Sequence, residues 1–207
     1  MKTIFFSILV LLAISFTACN SGGTKSEKED HDMKKDTAQH VSATNDKEVK
    51  AVAVAFSNVD AKASATIKEI VDHYFHIKNA LANDNGGEAA SGAKAMESAI
   101  GKLDKSLLTA EQKTAYDANE TALKEHAGNI AKNGITIKDQ RAHFAMMSES
   151  AYNLVKNFGA GRPVYHDHCP MARDNQGAMW LSEIKEVKNP YFGAEMPNCG
   201  TVEEVIK

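Results

Sequence analysis

Soft metal ligands crowd one short stretch of the chain. His166, His168, Cys169 and Met171 fall within six residues, and Met196 and Cys199 follow further on. Thiolate and thioether groups suit Cu(I), while imidazole accepts copper, zinc and nickel alike. In Cys169-Pro170-Met171 two sulfur ligands stand two residues apart on a backbone stiffened by proline, so both can approach one ion. If the chain folds back, Met196 and Cys199 complete a site of three or four ligands. The candidate metal set is therefore Cys169, Met171, Met196, Cys199, His168 and His166, with copper as Cu(I) the suspected ion. The spacing lacks the second close Cys or His pair of a zinc finger. A second reading stands beside this one. In an oxidising compartment Cys169 and Cys199 form a disulfide most simply, worth roughly 3–4 kcal/mol in the chain-entropy model. Residue chemistry leaves both open.

Other chemistries find less support. The sequence contains no Gly-rich phosphate loop, nucleophile elbow or His-Glu-x-x-His motif, so no catalytic residue is assigned and no enzyme is expected. Cys169 follows His168 directly, but neighbours in sequence rarely point at each other. Further histidines lie in helical stretches: His143 borders an apolar face, and His73 and His126 lie near others. His143 and His73 are possible additional ligands. The helical part holds no Glu-x-x-His pair, which leaves a di-iron carboxylate site unsupported. A formal net charge of −3 indicates no basic surface for nucleic acid.

The elements that must position these residues read mostly as helices. Aromatic residues are only 7% of the 207, and Ala and Lys are abundant. From Lys47 to Asp84, the residues Ile67, Ile70, Val71, Tyr74, Ile77 and Leu81 recur at helical spacing, while Val52, Val54 and Phe56 before them are less regular. Asn83 to Gly87 reads as the stop, with glycine supplying the C-terminal cap. A second, Ala-rich helix is expected from Glu88 to Leu108, weakened by Gly92 and Gly101. Thr109-Ala110-Glu111-Gln112 has the form of a capping box, which starts a third helix near Ala110. Thr136 caps a fourth, which carries Phe144, Met147, Ala151, Leu154, Val155 and Phe158 and is closed by Gly159. The expected fold is all-α: an antiparallel four-helix bundle over residues 47–160. Residues 161–207, which lack a helical period and hold the only Trp, are expected as an irregular segment wrapped on that bundle.

The N-terminus reads as an address. Lys2 precedes an apolar run from Ile4 to Phe16, short of the ~20 residues of a membrane-spanning helix. Phe16-Thr17-Ala18-Cys19 resembles the lipobox of bacterial lipoproteins, although Leu is commoner at the first position. That resemblance implies cleavage after residue 18 and lipidation of Cys19, which would anchor the chain to a bacterial membrane. Residues 19–46 are rich in Ser, Gly, Thr and charge, and read as a flexible linker. The expectation is an exported lipoprotein of the outer or inner membrane, facing the periplasm.

The segment Tyr165 to Gly200 carries a longer resemblance. Cys-Pro-Met-Ala, Gly-Ala-Met-Trp-Leu-Ser, Asn-Pro-Tyr-Phe-Gly and Met-Pro-Asn-Cys-Gly together resemble an uncharacterised periplasmic domain. That domain occurs alone in exported bacterial proteins and appended to the adaptor (membrane-fusion) subunits of copper, silver and other heavy-metal efflux pumps. Tyr74 to Leu81 and Arg141 to Lys156 are similar to its helical part. The resemblance implies a helical domain in a metal-handling setting, with a heavy-metal efflux adaptor as a possible partner. Cys169, Met171, Met196 and Cys199 match the family's sulfur-bearing motifs; His166 and His168 rest on adjacency alone. The expected function is a lipid-anchored protein that buffers copper or passes it to an efflux partner. The alternative is a structural or interaction module held by a Cys169–Cys199 disulfide.

Overall fold

A computed structural model describes residues 49–207. Cys19, the signal segment 1–18 and the whole of the expected linker, 19–46, lie outside the described residues. Four long helices form close to where the apolar spacing predicts them: α1 (Ala61–Ala82), α2 (Gly86–Lys102), α3 (Ala110–Ile130) and α4 (Ile137–Phe158). The predicted inward residues of α1 are all buried, as are Phe144, Met147, Ala151, Leu154, Val155 and Phe158 of α4. The Thr109 capping box forms, with Gln112 N–H donating to Thr109 Oγ1 and Gln112 Oε1 accepting from Thr109 N–H. Thr136 caps α4 and Gly159 ends it at φ 72°.

The α1–α2 junction differs from expectation. Asp84, not a glycine, takes the left-handed position at φ 56°, and Gly86 and Gly87 open α2. Two local bonds explain this. Asn85 Oδ1 accepts from Glu88 N–H as an N-cap, and Arg141 of α4 binds Asp84 Oδ1 at 2.6 Å.

The all-α expectation is wrong. Residues 161–207 are not an irregular wrap: they supply three strands of a mixed four-stranded sheet. These are β2 (Val164–Cys169), β3 (Ala178–Ser182) and β4 (Thr201–Ile206), with β1 (Lys50–Val52) as the fourth. The four-residue turn α5 (Ala172–Asn175) joins β2 to β3. Strand order is β1-β4-β2-β3, with β1 parallel to β4 and the other pairs antiparallel. The segment around Val52, less regular in sequence and read as a separate turn or a frayed extension of the first helix, pairs Val52 with Ile206 at the far end of the chain. Helical periodicity is a local signal and carries no trace of such a pairing. The strands are also short, and β2 embeds His166, Asp167 and His168, which hide its apolar alternation.

The sheet packs on the helices through β3, an edge strand whose outward backbone groups need partners. Tyrosines provide them. Tyr74 of α1 accepts from Leu181 N–H at 3.0 Å, and Tyr191 Oη donates to Met179 C=O. Tyr74 Oη lies 2.7 Å from Ser148 Oγ, and Ser148 in turn donates to Phe144 C=O at 2.8 Å. With the Ser148 proton committed, Tyr74 must be the donor to Ser148. The chain Leu181 → Tyr74 → Ser148 → Phe144 thus runs from sheet to α1 to α4 without an orphan.

Tyr74→Phe removes the middle of that chain and strands a buried N–H. We expect a loss of about 1–3 kcal/mol in urea unfolding, with little change for a phenylalanine at exposed positions. A full-stability Tyr74→Phe protein would refute the role assigned to this hydroxyl.

Candidate functional site

Cys169 ends β2 and is fully buried; Cys199 lies in the loop before β4 and is half-buried. Their Sγ atoms are 2.6 Å apart. The antiparallel β2–β4 register, with His168 opposite Thr201, carries the end of one strand to the start of the other. Asn189, also fully buried, shapes the approach of Cys199. Its amide donates to Cys199 C=O at 2.6 Å, its Oδ1 accepts from Tyr191 N–H at 2.7 Å, and its backbone N–H donates to Pro197 C=O. Gly200 follows at φ 140°, where a Cβ would meet Trp180 Cη2 at 2.8 Å and His168 O at 3.1 Å. Only glycine lets the chain pass that close over the tryptophan.

The other sulfur candidates divide. Met196 is half-buried and shares a turn with Cys199, whose N–H donates to Met196 C=O at 3.2 Å. Met171 follows Cys169-Pro170 into α5 with 48% of its surface exposed. That turn is left-handed: Arg173, Asp174 and Asn175 have φ of 54°, 56° and 66°, and Gly177 follows at 82°. Three non-glycine residues in this region cost about 1–2 kcal/mol each. The strained connection therefore begins four residues after the buried thiol.

The strand alternation separates the histidines from the thiols. Asp167 and Cys169 face the buried side of β2, while His166 and His168 face the other side. There a register shift in β4 presents Glu203, whose carboxylate is 3.8 Å from His166 Nδ1 and 3.5 Å from His168 Nδ1. The Tyr152 ring covers His166 at 4.7 Å between centroids, and burial lowers the His166 pKa against the pull of Glu203. His73 sits on α1 with Nε2 3.9 Å from Glu69, and His143 sits on α4 against His126. Among the described residues no three His, Cys, Asp or Glu side chains converge as a metal site. Cys199 is not an activated thiol either: contact with Cys169, and then burial, push its pKa up to about 11.

A buried polar group behind the sheet was not anticipated. Lys78, at 0% exposure, stands 3.0 Å from Glu183 Oε2 and 3.4 Å from Ser182 Oγ. Asn79 Nδ2 donates to Glu183 Oε1 at 2.7 Å. Asp167 is buried on this side as well, and neither of its oxygens has a hydrogen-bond partner. Burial pushes its pKa up to about 7, opposed by the charge of Lys78. The signal available in sequence was Lys78 itself, which interrupts the apolar stripe of Tyr74, Ile77 and Leu81.

A carboxyl whose folded pKa lies above its unfolded value of about 3.9 binds a proton preferentially in the native state. Its contribution to stability is then present at low pH and lost as pH rises from about 4 through 7. Wild-type protein should lose about 1–3 kcal/mol between pH 5 and pH 8 through this group. Asp167→Asn should flatten that part of the profile in denaturant unfolding at the two pH values. An unchanged profile would mean that Asp167 does not hold its proton in the folded protein.

Comparison with known proteins touches the helical part. No curated protein and no solved structure matches the chain. Residues 70–162, from within α1 to just past α4, match the family described as Protein of unknown function (DUF3347). The sulfur pair and the three C-terminal strands lie beyond the matched residues.

Proposed function

We propose that this chain is a lipid-anchored periplasmic protein that binds a soft heavy-metal ion, most simply Cu(I), through Cys169 and Cys199. It buffers the ion or passes it to an efflux partner. The observation that carries this reading is the meeting of two thiols from distant positions, with the Met196 turn leading into one of them. The lipobox-like Phe16 to Cys19 and the resemblance of the C-terminal motifs to domains of efflux adaptors supply the setting. Metal–sulfur bonds of about 2.3 Å require two sulfurs on one ion to stand well apart. Holding a metal therefore needs the thiols to separate from 2.6 Å. Cys169 is fixed on β2, so Cys199, on a half-buried loop, is the partner free to give way.

The sulfur spacing also favours a second reading, in which Cys169 and Cys199 close as a disulfide and staple the 189–199 loop to β2. Two contacting thiols in an oxidising compartment form that bond readily. The staple is a structural role, and in that case the domain serves as an interaction module.

Thiol counting and a Cu(I) titration of the same full-length protein separate the two. On the metal reading, protein isolated without reductant has free thiols, and the reduced form binds about one Cu(I). Cys169→Ser and Cys199→Ser should each weaken that binding by more than about tenfold. Negligible Cu(I) affinity in the reduced wild type would sink the metal reading. A fully formed disulfide that resists mild reductant would establish the staple.

A further inference from the structure

His126 and His143 form a second cluster of ligating groups, away from the sulfur pair in both sequence and element. His126 lies in the last turns of α3 and His143 in the second turn of α4. Their Nδ1 atoms are 3.3 Å apart and their rings tilt by 36° at a centroid separation of 5.5 Å. Both are half-buried, and each is next to a buried position, Ala127 on α3 and Phe144 on α4. Packing of the antiparallel pair thus holds the two imidazoles face to face before any ligand arrives.

For two neutral imidazoles alone this arrangement gains little. One Nδ1 must carry a proton for a single, long hydrogen bond, and the other then serves only as acceptor. For a metal the spacing is better used. Two nitrogens bound at about 2.0–2.1 Å in tetrahedral geometry stand roughly 3.3–3.4 Å apart. Nδ1–Nδ1 already has that value, so neither helix has to move. Burial first, then the neighbouring His126 and Lys132, lower the His143 pKa. Asp139 and Glu125 act in the opposite sense and offer negative charge toward a bound cation. Asp139 Oδ2 already accepts from Thr136 Oγ1 at 2.7 Å at the start of α4.

We propose that His126 and His143 together bind a divalent transition-metal ion through their Nδ1 atoms, with water in the remaining positions. Two imidazoles without sulfur select Zn2+, Cu2+ or Ni2+ over Cu(I). With no third protein ligand among the described residues, the ion is held exchangeably. The site is independent of the sulfur pair and stands or falls separately from it.

The test uses Ni2+, an imidazole-preferring ion, added to the full-length protein. Binding is followed by calorimetry and by the histidine ring signals in NMR spectra. The paramagnetic ion should broaden the His126 and His143 rings together, ahead of His73 and His166. His126→Gln and His143→Gln should each weaken this binding by about tenfold or more, and the double variant should be no worse than either. His76→Gln, whose ring contacts Glu88, should leave it unchanged. Circular dichroism establishes that each variant keeps its helices; where one does not, the wild-type ring signals decide. Rings of His126 and His143 untouched by Ni2+, or a folded single variant that titrates like wild type, would overturn the site.

Discussion

The attachment of the sheet to the helices rests on satisfying one strand edge. β3 ends the sheet, and the outward N–H of Leu181 and C=O of Met179 must find partners away from water. Tyr74 and Tyr191 meet them with hydroxyls carried on rings that are themselves core. Tyr74 stacks on Phe144, and Tyr191 meets Trp180 edge-on at 5.8 Å. Each ring therefore does two things at once: it buries apolar area and closes a polar edge. Once the edge is closed, β2 and β4 follow in register behind it, and the two cysteines are carried toward each other. Arg141 adds a second clasp, reaching Pro190 C=O, Leu81 C=O and Asp84 from α4. It ties the C-terminal loop to the end of α1.

Within this frame the polar groups fall into three clusters, two of which share the buried face of β2 through Asp167 and Cys169. The thiols meet at the buried end of β2, Cys169 from the strand and Cys199 from the loop before β4, with their Sγ atoms 2.6 Å apart. His166, His168 and Glu203 lie on the opposite side, where alternation along the strand sends them. Lys78 and Asp167 lie buried beside β2 and β3, with the partly exposed Glu183 closing on Lys78. A buried ion pair is weak evidence for stability, since desolvation offsets much of the attraction. The unpartnered Asp167 makes this cluster more a source of pH dependence than of strength.

The helices were legible because their information is local. Ile67, Ile70, Val71, Tyr74, Ile77 and Leu81 repeat at the helical period, Thr109 and Gln112 mark a start, and Gly159 marks an end. The strands were not. Thr201 to Ile206 shows no clean alternation when taken alone, because Glu203 and Glu204 break its apolar pattern. That Cys169 and Cys199 belong together was legible from residue type, and their Sγ atoms stand 2.6 Å apart. His166 and His168 were grouped with them by adjacency alone, and along β2 adjacent residues face opposite sides.

Residue types alone therefore determined where four helices run and, at Thr109, Thr136 and Gly159, how they are capped. Those properties depend on a side chain and its neighbours within a few turns. The tertiary structure alone decided which groups meet. It paired Val52 with Ile206, set Tyr74 against Leu181, turned His168 away from Cys169 and brought His126 onto His143. Each of these joins residues from separate elements, and their meeting is set by burying apolar faces and closing backbone hydrogen bonds across the whole chain. No pattern within a single segment encodes it.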